Sequence, residues 1–148
     1  MTTRSMRSVI GQPLIAVDDA EQVGTVKHFV LSGRVDRIER LHVDGRGKNA
    51  QFLSWNDLES FGDDRVMVSR SGSLSAADDT RDRDAAEGSV DVLGARILDT
   101  AGFEHGRVDD VDFDTETGGL VAIVSSGGTR LPASALRSLG SYALVVDV

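Results

Sequence analysis

The chain has 148 residues, no cysteine, a net charge of −8, and a composition that is 40% hydrophobic but only 5% aromatic. These values exclude disulfides, thiol nucleophiles and cysteine zinc sites, and place the chain outside the disordered class, with a core built mainly of Val, Leu and Ile. The acidic balance argues against a general affinity for nucleic acid, whose phosphates call for a basic surface.

The opening stretch, "MTTRSMRSVIGQP", carries arginines but no apolar region behind them, so it does not read as a signal peptide. No apolar run approaches the roughly 20 residues of a membrane span, and membrane insertion is not expected. A cytoplasmic location follows as the default expectation.

From there the chain reads as short apolar stretches broken by Gly, Asp and Asn, the pattern of strands in a small barrel or sandwich. "GTVKHFVLS" from Gly24 is the first strong strand, followed by "IERLHV", then "FLSWNDLESFG" and a short apolar strand at Val66–Val68. Ser54 and Asp57 stand at capping-box spacing, which predicts a brief helix there. Residues 69–89 contain one leucine and no Val, Ile or aromatic, and read as a flexible acidic linker, with a weak helix conceivable around Ala76 to Ala86.

Beyond that segment the chain repeats itself. Gly24, Val26, Phe29, Leu31, Leu41 and Gly45 fall without a gap on Gly106, Val108, Val111, Phe113, Ile123 and Gly127. After four additional residues in the first copy, Leu53, Leu58, Ser60 and Gly62 fall on Leu131, Leu136, Ser138 and Gly140. Upstream, "VIGQPLIAVDDAEQVG" matches "VLGARILDTAGFEHG". In "LPASAL" Pro132 suits a helix start, where a missing N–H costs nothing. Charge is uneven across the units: −1 over residues 1–68, −2 over 69–89 and −5 over 90–148.

The most suggestive stretch is "HGRVDDVDFD", in which Asp110, Asp112 and Asp114 alternate, with Glu116 just beyond. A calcium loop counted from Asp110 would need Gly at its sixth position and Glu at its twelfth, where Thr115 and Val121 stand. The sister copy places His28 and Val30 at the positions of Asp110 and Asp112, so the run reads as a solvated strand face. Val26 and Phe29 are three apart, which requires a bulge for both to face the core. Gly24 and Gly106 suit a tight turn or close backbone approach beside it.

In the second copy "LGARILDTAGFEHGRVDDVDFD", "GLVAIVSSGG", "RLPASALRSL" and "YALVVDV", and in the first "IGQPLIAVDDAEQVGTVKHFVLS", "IERLHV", "FLSWNDLESF" and "RVMV", resemble the PRC-barrel family, twice over. The resemblance implies a mainly β chain of two small antiparallel PRC-type barrels, each with one short helix. They span 8–68 and 90–148 and pack as a pseudo-twofold pair across the 69–89 linker. A unit of about 60 residues is marginal alone, so intimate contact between copies is expected; homodimer formation is another way to gain burial. The family includes the cytoplasmic part of the photosynthetic reaction centre H subunit and the C-terminus of the ribosome maturation factor RimM, and it brings no catalytic residues with it.

Single residues add little. His28, His42 and His105 lie on separate elements and read as strand-surface imidazoles, with no metal implied. The pairs Asp18–Asp19, Asp63–Asp64 and Asp109–Asp110 look solvated, unlike a general acid. "GRGKNA" lacks a phosphate-binding frame. Arg34, Arg37, Arg40, Arg46 and Lys48, interspersed with Asp36, Glu39 and Asp44, form either a patch for an acidic partner or RNA, or an ordinary mixed surface, the latter favoured. Trp55 is either a partner anchor or, preferably, packing for the first core or the contact between copies. The expected function is a non-catalytic protein-binding or scaffold module; a RimM-like, ribosome-associated factor is the alternative. No catalytic, cofactor-binding or metal-binding residue is assigned, no cofactor is expected, and the partner and its contact residues stay unassigned.

Overall fold

The computed structural model describes residues 2–45, 52–76 and 90–147. A short strand β1 (Thr3–Ser5) and one turn of helix α1 (Met6–Val9) precede the first copy. That copy runs β2 (Pro13–Ala16), β3 (Gln22–Leu31), β4 (Ile38–Gly45), β5 (Phe52–Ser54), β6 (Leu58–Phe61) and β7 (Val66–Val68). The second runs β8 (Arg96–Asp99), β9 (Glu104–Asp114), β10 (Leu120–Ser125), β11 (Arg130–Pro132), β12 (Leu136–Leu139) and β13 (Leu144–Val146). Strand order is β5-β4-β3-β2-β7-β6 in one sheet and β11-β10-β9-β8-β13-β12 in the other. Position for position the two orders agree, so the sequence repeat is also a repeat of topology. Each sheet is antiparallel except for one ladder, β2 with β7 and β8 with β13. In each copy a long connection through four strands allows that parallel return.

The expected short helix is a single 3-10 turn in each copy, Trp55–Asp57 and Ala133–Ala135. Ser54 precedes the first turn but its side chain caps nothing. The turn closes at once, with Leu58 N–H bonded back to Trp55 O, leaving no run of free amides for a capping box to serve. The bulge between Val26 and Phe29 is present as a register shift opposite β4, and β9 shows the equivalent shift between Val108 and Asp110. The two aligned glycines serve different ends. A Cβ on Gly24 would lie 2.6 Å from Asp44 O, whereas Gly106 has φ +94°, the left-handed region open to glycine.

The copies are joined by a pseudo-twofold axis. Over the ungapped stretch, adding 82 to a first-copy number gives its counterpart. Ile38 N–H donates to Gly118 O at 2.8 Å, and its counterpart Leu120 N–H donates to Asp36 O at 2.9 Å. Arg37 and Gly119, themselves counterparts, face each other across this pair of bonds, so the axis passes between them. Around it one apolar cluster continues through both copies, with Val26, Ile38, Leu41 and Leu53 from one and Val111, Phe113, Ile123 and Leu144 from the other. Phe29 and Phe113 meet there with ring centroids 5.6 Å apart. Burying each such side chain contributes about 1.5–3 kcal/mol, which neither copy could gather from its own surface.

The segments leading into each copy are exchanged. β1 pairs with β9 of the second copy, Thr3 opposite Asp114 and Ser5 opposite Asp112, and Thr115 N–H donates to Thr2 O at 2.9 Å. α1 follows, with Met6 and Val9 buried in the shared core and Ser5 capping Ser8 N–H at 3.2 Å. Arg7 N–H donates to Asp110 Oδ1 at 3.1 Å. In the reverse direction Asp91, just before β8, places Oδ2 3.0 Å from Nδ1 of His28, the counterpart of Asp110. Of the 69–89 segment, Ser75 pairs with Phe52 and Ser71 N–H donates to Asp18, while residues 77–89, including most of the conceivable helix, lie outside the described residues.

Candidate functional site

The seam between copies carries an open cleft of about 430 Å³, lined by Trp55, Leu58, Phe61, Glu59 and Glu116, with Thr2 and Thr115 closing one side. Its floor follows from the strand ends that meet there. The 3-10 turn after β5 projects Trp55, β6 brings Phe61, and the tight turn between β9 and β10 brings Gly118. Phe61 stacks on Trp55 at 5.6 Å and 29°, and Phe113 meets both rings, edge-on to Trp55 at 6.2 Å. Gly118, at φ +77°, lies against the bond shared by the two indole rings, where a Cβ would come within 2.9 Å of Trp55 Cε2. Trp55 is therefore part of the packing between copies, and its counterpart in the second copy is Ala133.

The polar part of the cleft is acidic. Glu59 accepts the Ser69 hydroxyl at 3.1 Å, and Glu116 is held by its own N–H donating to Asp114 at 2.8 Å. Among the described residues neither carboxylate has a cationic partner. Sequence pattern did not single out Glu59 and Glu116 as neighbours, because Glu59 lies on β6 of one copy and Glu116 on a turn of the other, and only the twofold packing brings them to one cleft.

The alternating aspartates do not gather a cation. Asp110 receives the Arg7 N–H, Asp112 Oδ2 lies 2.6 Å from Arg130 Nη1, and Asp114 closes its own turn. Among the described residues no group of three or more His, Asp and Glu side chains converges as metal ligands would. The strand reading of this stretch stands, with one amendment: the face is only partly exposed, held by the Arg7 amide and the Arg130 guanidinium.

The histidines depart from expectation. His28 and His42 are cross-strand partners, with rings stacked 5.7 Å apart, and His42 stacks in turn on Phe52 at 5.0 Å. His42 is only 4% exposed, so it is no surface imidazole. The reason is that Val30 and Phe52 form a second, smaller apolar cluster on the outer face of β3, β4 and β5. Only His105 is surface-exposed; its Nε2 lies 2.7 Å from Asp99 Oδ2. That bond, with the Phe103 and Ala101 N–H groups, holds the Asp99 carboxyl below its usual range.

The remaining candidates scatter. Asp18 and Asp19 accept backbone N–H groups of Ser71 and Glu21. Asp63 lies 3.7 Å from Arg4. Arg65 bonds Asp64 at 2.9 Å, lowering that carboxyl and raising its own pKa. Arg7 Nε bonds Asp109 O. Of the basic cluster, Arg37 pairs with Glu39 at 3.6 Å beside the twofold axis, Arg40 lies on β4, and Arg46, Lys48 and the rest of "GRGKNA" past Gly45 lie outside the described residues.

Two curled sheets of identical strand order, packed about a local twofold with their leading segments exchanged, define a tandem small-barrel protein. The family profile of the PRC-barrel domain matches residues 1–74 and again 86–144, and the chain belongs to that family. PRC-barrel domains are generally non-catalytic modules. No curated protein matches the chain. Among the described residues no helix is long and apolar enough to cross a membrane.

Proposed function

We propose that the protein is a non-catalytic binding or scaffold module for another protein, and that the seam cleft is where a basic side chain of that partner docks. The observation that supports this reading is the pair of carboxylates, Glu59 and Glu116, without cationic partners among the described residues and beside an apolar floor that is already rigid. A pre-formed concave site with a few polar groups suits recognition, and opposite charge would steer the partner's approach. The alternative, a RimM-like role on the ribosome, would rest on Arg34, Arg37 and Arg40, of which Arg37 is already engaged by Glu39.

The test is capture of partners from native lysate on the tagged full chain, with and without nuclease, compared with a Glu59→Lys/Glu116→Lys variant of unchanged melting temperature. A stoichiometric protein that survives nuclease and is lost with the double variant is the expected result. Capture of ribosomal proteins that disappears with nuclease or salt would replace this reading with the RimM-like one.

A further inference from the structure

Among the described residues the second copy carries a cleft with two arginines that the first does not, separate from the seam cleft. Arg96 on β8 and Arg107 on β9 stand directly opposite each other in the ladder, with both side chains on the outer face, because their neighbours Ile97 and Val108 point into the core. Like charges placed opposite on paired strands repel and destabilise the pair. In an acidic copy such an arrangement calls for an explanation.

The first guanidinium is compensated and fixed. Arg96 Nε lies 3.1 Å from Glu104 Oε1, an ion pair outside hydrogen-bond alignment, and its guanidinium sits 4.5 Å over the Tyr142 ring. The second is not. Arg107 Nη1 donates to Gly94 O at 3.0 Å, which fixes the side chain without neutralising it, and among the described residues no carboxylate reaches it. Asp91, the one other acid on the cleft, is turned to His28 at 3.0 Å and accepts Leu93 N–H at 3.1 Å. The remaining wall is the β12–β13 turn, with Ser141 and Tyr142, around a volume of about 200 Å³.

The counterpart positions in the first copy show what is particular here. Pro13 and Thr25 stand opposite each other where the arginines do, and Asp63 and Asp64 occupy the places of Ser141 and Tyr142. The fold does not need the arginine pair, since the sister copy builds the same ladder without it.

We infer that this cleft binds a carboxylate. Arg107 is the guanidinium of the cleft that no carboxylate reaches among the described residues, and a monoanion would supply that partner. Arginine presents paired N–H donors that match the two oxygens of a carboxylate. Tyr142, 69% exposed, offers its ring to the carbon chain behind that group. The cleft is smaller than the several hundred Å³ typical of cofactor pockets, so it holds a small acid or the carboxylate end of a peptide, with the rest of the ligand outside.

The test is an amide NMR titration of the full chain with sodium acetate against sodium chloride at equal ionic strength, repeated on Arg107→Ala and on Thr25→Ala as the first-copy control. Saturable shifts confined to Gly94–Arg96, Arg107 and Ser141–Ala143, at least tenfold weaker in Arg107→Ala and unchanged in Thr25→Ala, are expected. Equal shifts with chloride, shifts elsewhere, or unchanged binding by an Arg107→Ala variant that keeps its melting temperature would overturn the assignment. A short alanine peptide, free or amidated at its C-terminus, separates the sources. Tighter binding than acetate that amidation abolishes identifies a peptide carboxylate, whereas equal affinity for acetate and free peptide identifies a small acid.

Discussion

The two copies share a strand order but dress the outer face of their long strands in opposite ways. Along β3 that face carries half-buried His28 and buried Val30, backed by buried His42 and Phe52. Along β9 it carries Asp110 and Asp112, held by the first copy's leading segment and by Arg130. The inner faces remain equivalent, with Phe29 and Leu31 matched by Val111 and Phe113. Duplicated sheets are thus constrained on the side they share and free on the side they do not. The arginine cleft lies on that free side.

The largest effect that would sharpen this comparison lies at the shared face. Phe113 touches Phe29, Trp55 and Phe61, so Phe113→Ala should cost about 3–5 kcal/mol, the usual range for a buried aromatic. Because the core is continuous, denaturation followed by probes in either copy should show one shared transition. Two separated transitions would break the picture of a single cooperative unit.

Met6→Ala should come next, at about 2–4 kcal/mol, since Met6 is fully buried though it belongs to the leading segment. Hydrogen exchange should quicken at Thr115, whose amide depends on Thr2, and stay unchanged at Ser32 in the first copy, whose amide bonds Arg37 O. Equal acceleration at both would mean that the exchanged segment supports the whole molecule and not β9 in particular.

The aligned glycines offer a smaller contrast. Gly24→Ala forces a Cβ against the Asp44 carbonyl and should cost about 1–3 kcal/mol through overpacking. Gly106→Ala should cost about 1–2 kcal/mol through its positive φ. Changing Gly106 to Asn, which tolerates that conformation, should recover part of the loss, while Gly24→Asn should not.

Asp99 gives the smallest effect. Its carboxyl is lowered in the folded protein, so it adds stability above the unfolded carboxylate pKa of about 3.9. That contribution fades as pH falls through the lower folded value. Asp99→Asn should flatten the acid limb of the melting-temperature profile and leave the shape above pH 5 unchanged. The equivalent place in the first copy is Ala16, which has nothing to titrate.

Strands were legible because apolar residues, glycines and aspartates punctuate both copies in the same register, and the closing strand of the first copy, Val66–Val68, is found at those residues. The leading segment was not legible. "TRS" has no periodicity, and its pairing with β9 depends on a partner more than a hundred residues away. The burial of His42 was hidden for a related reason, since Val30 and Phe52 become neighbours only after the sheet forms. Ser54 and Asp57 gave a false capping signal, because the spacing is shared by a turn too short to use it. Glu116 stood out only as a neighbour of the alternating aspartates and Glu59 not at all, since the two meet only when the twofold is built.

The exchanged segment has a consequence for synthesis on the ribosome. Thr2 and Thr3 leave the exit tunnel more than a hundred residues ahead of their partners, Thr115 and Asp114. The leading strand therefore waits, without its β9 partner, until more than a hundred further residues have been made. Loop-closure entropy makes so distant a pairing slow, and an unpaired strand edge is exposed to wrong partners in the meantime. The leading strand is short, polar and charged by Arg4, which suits a segment that must stay unattached for most of its own translation.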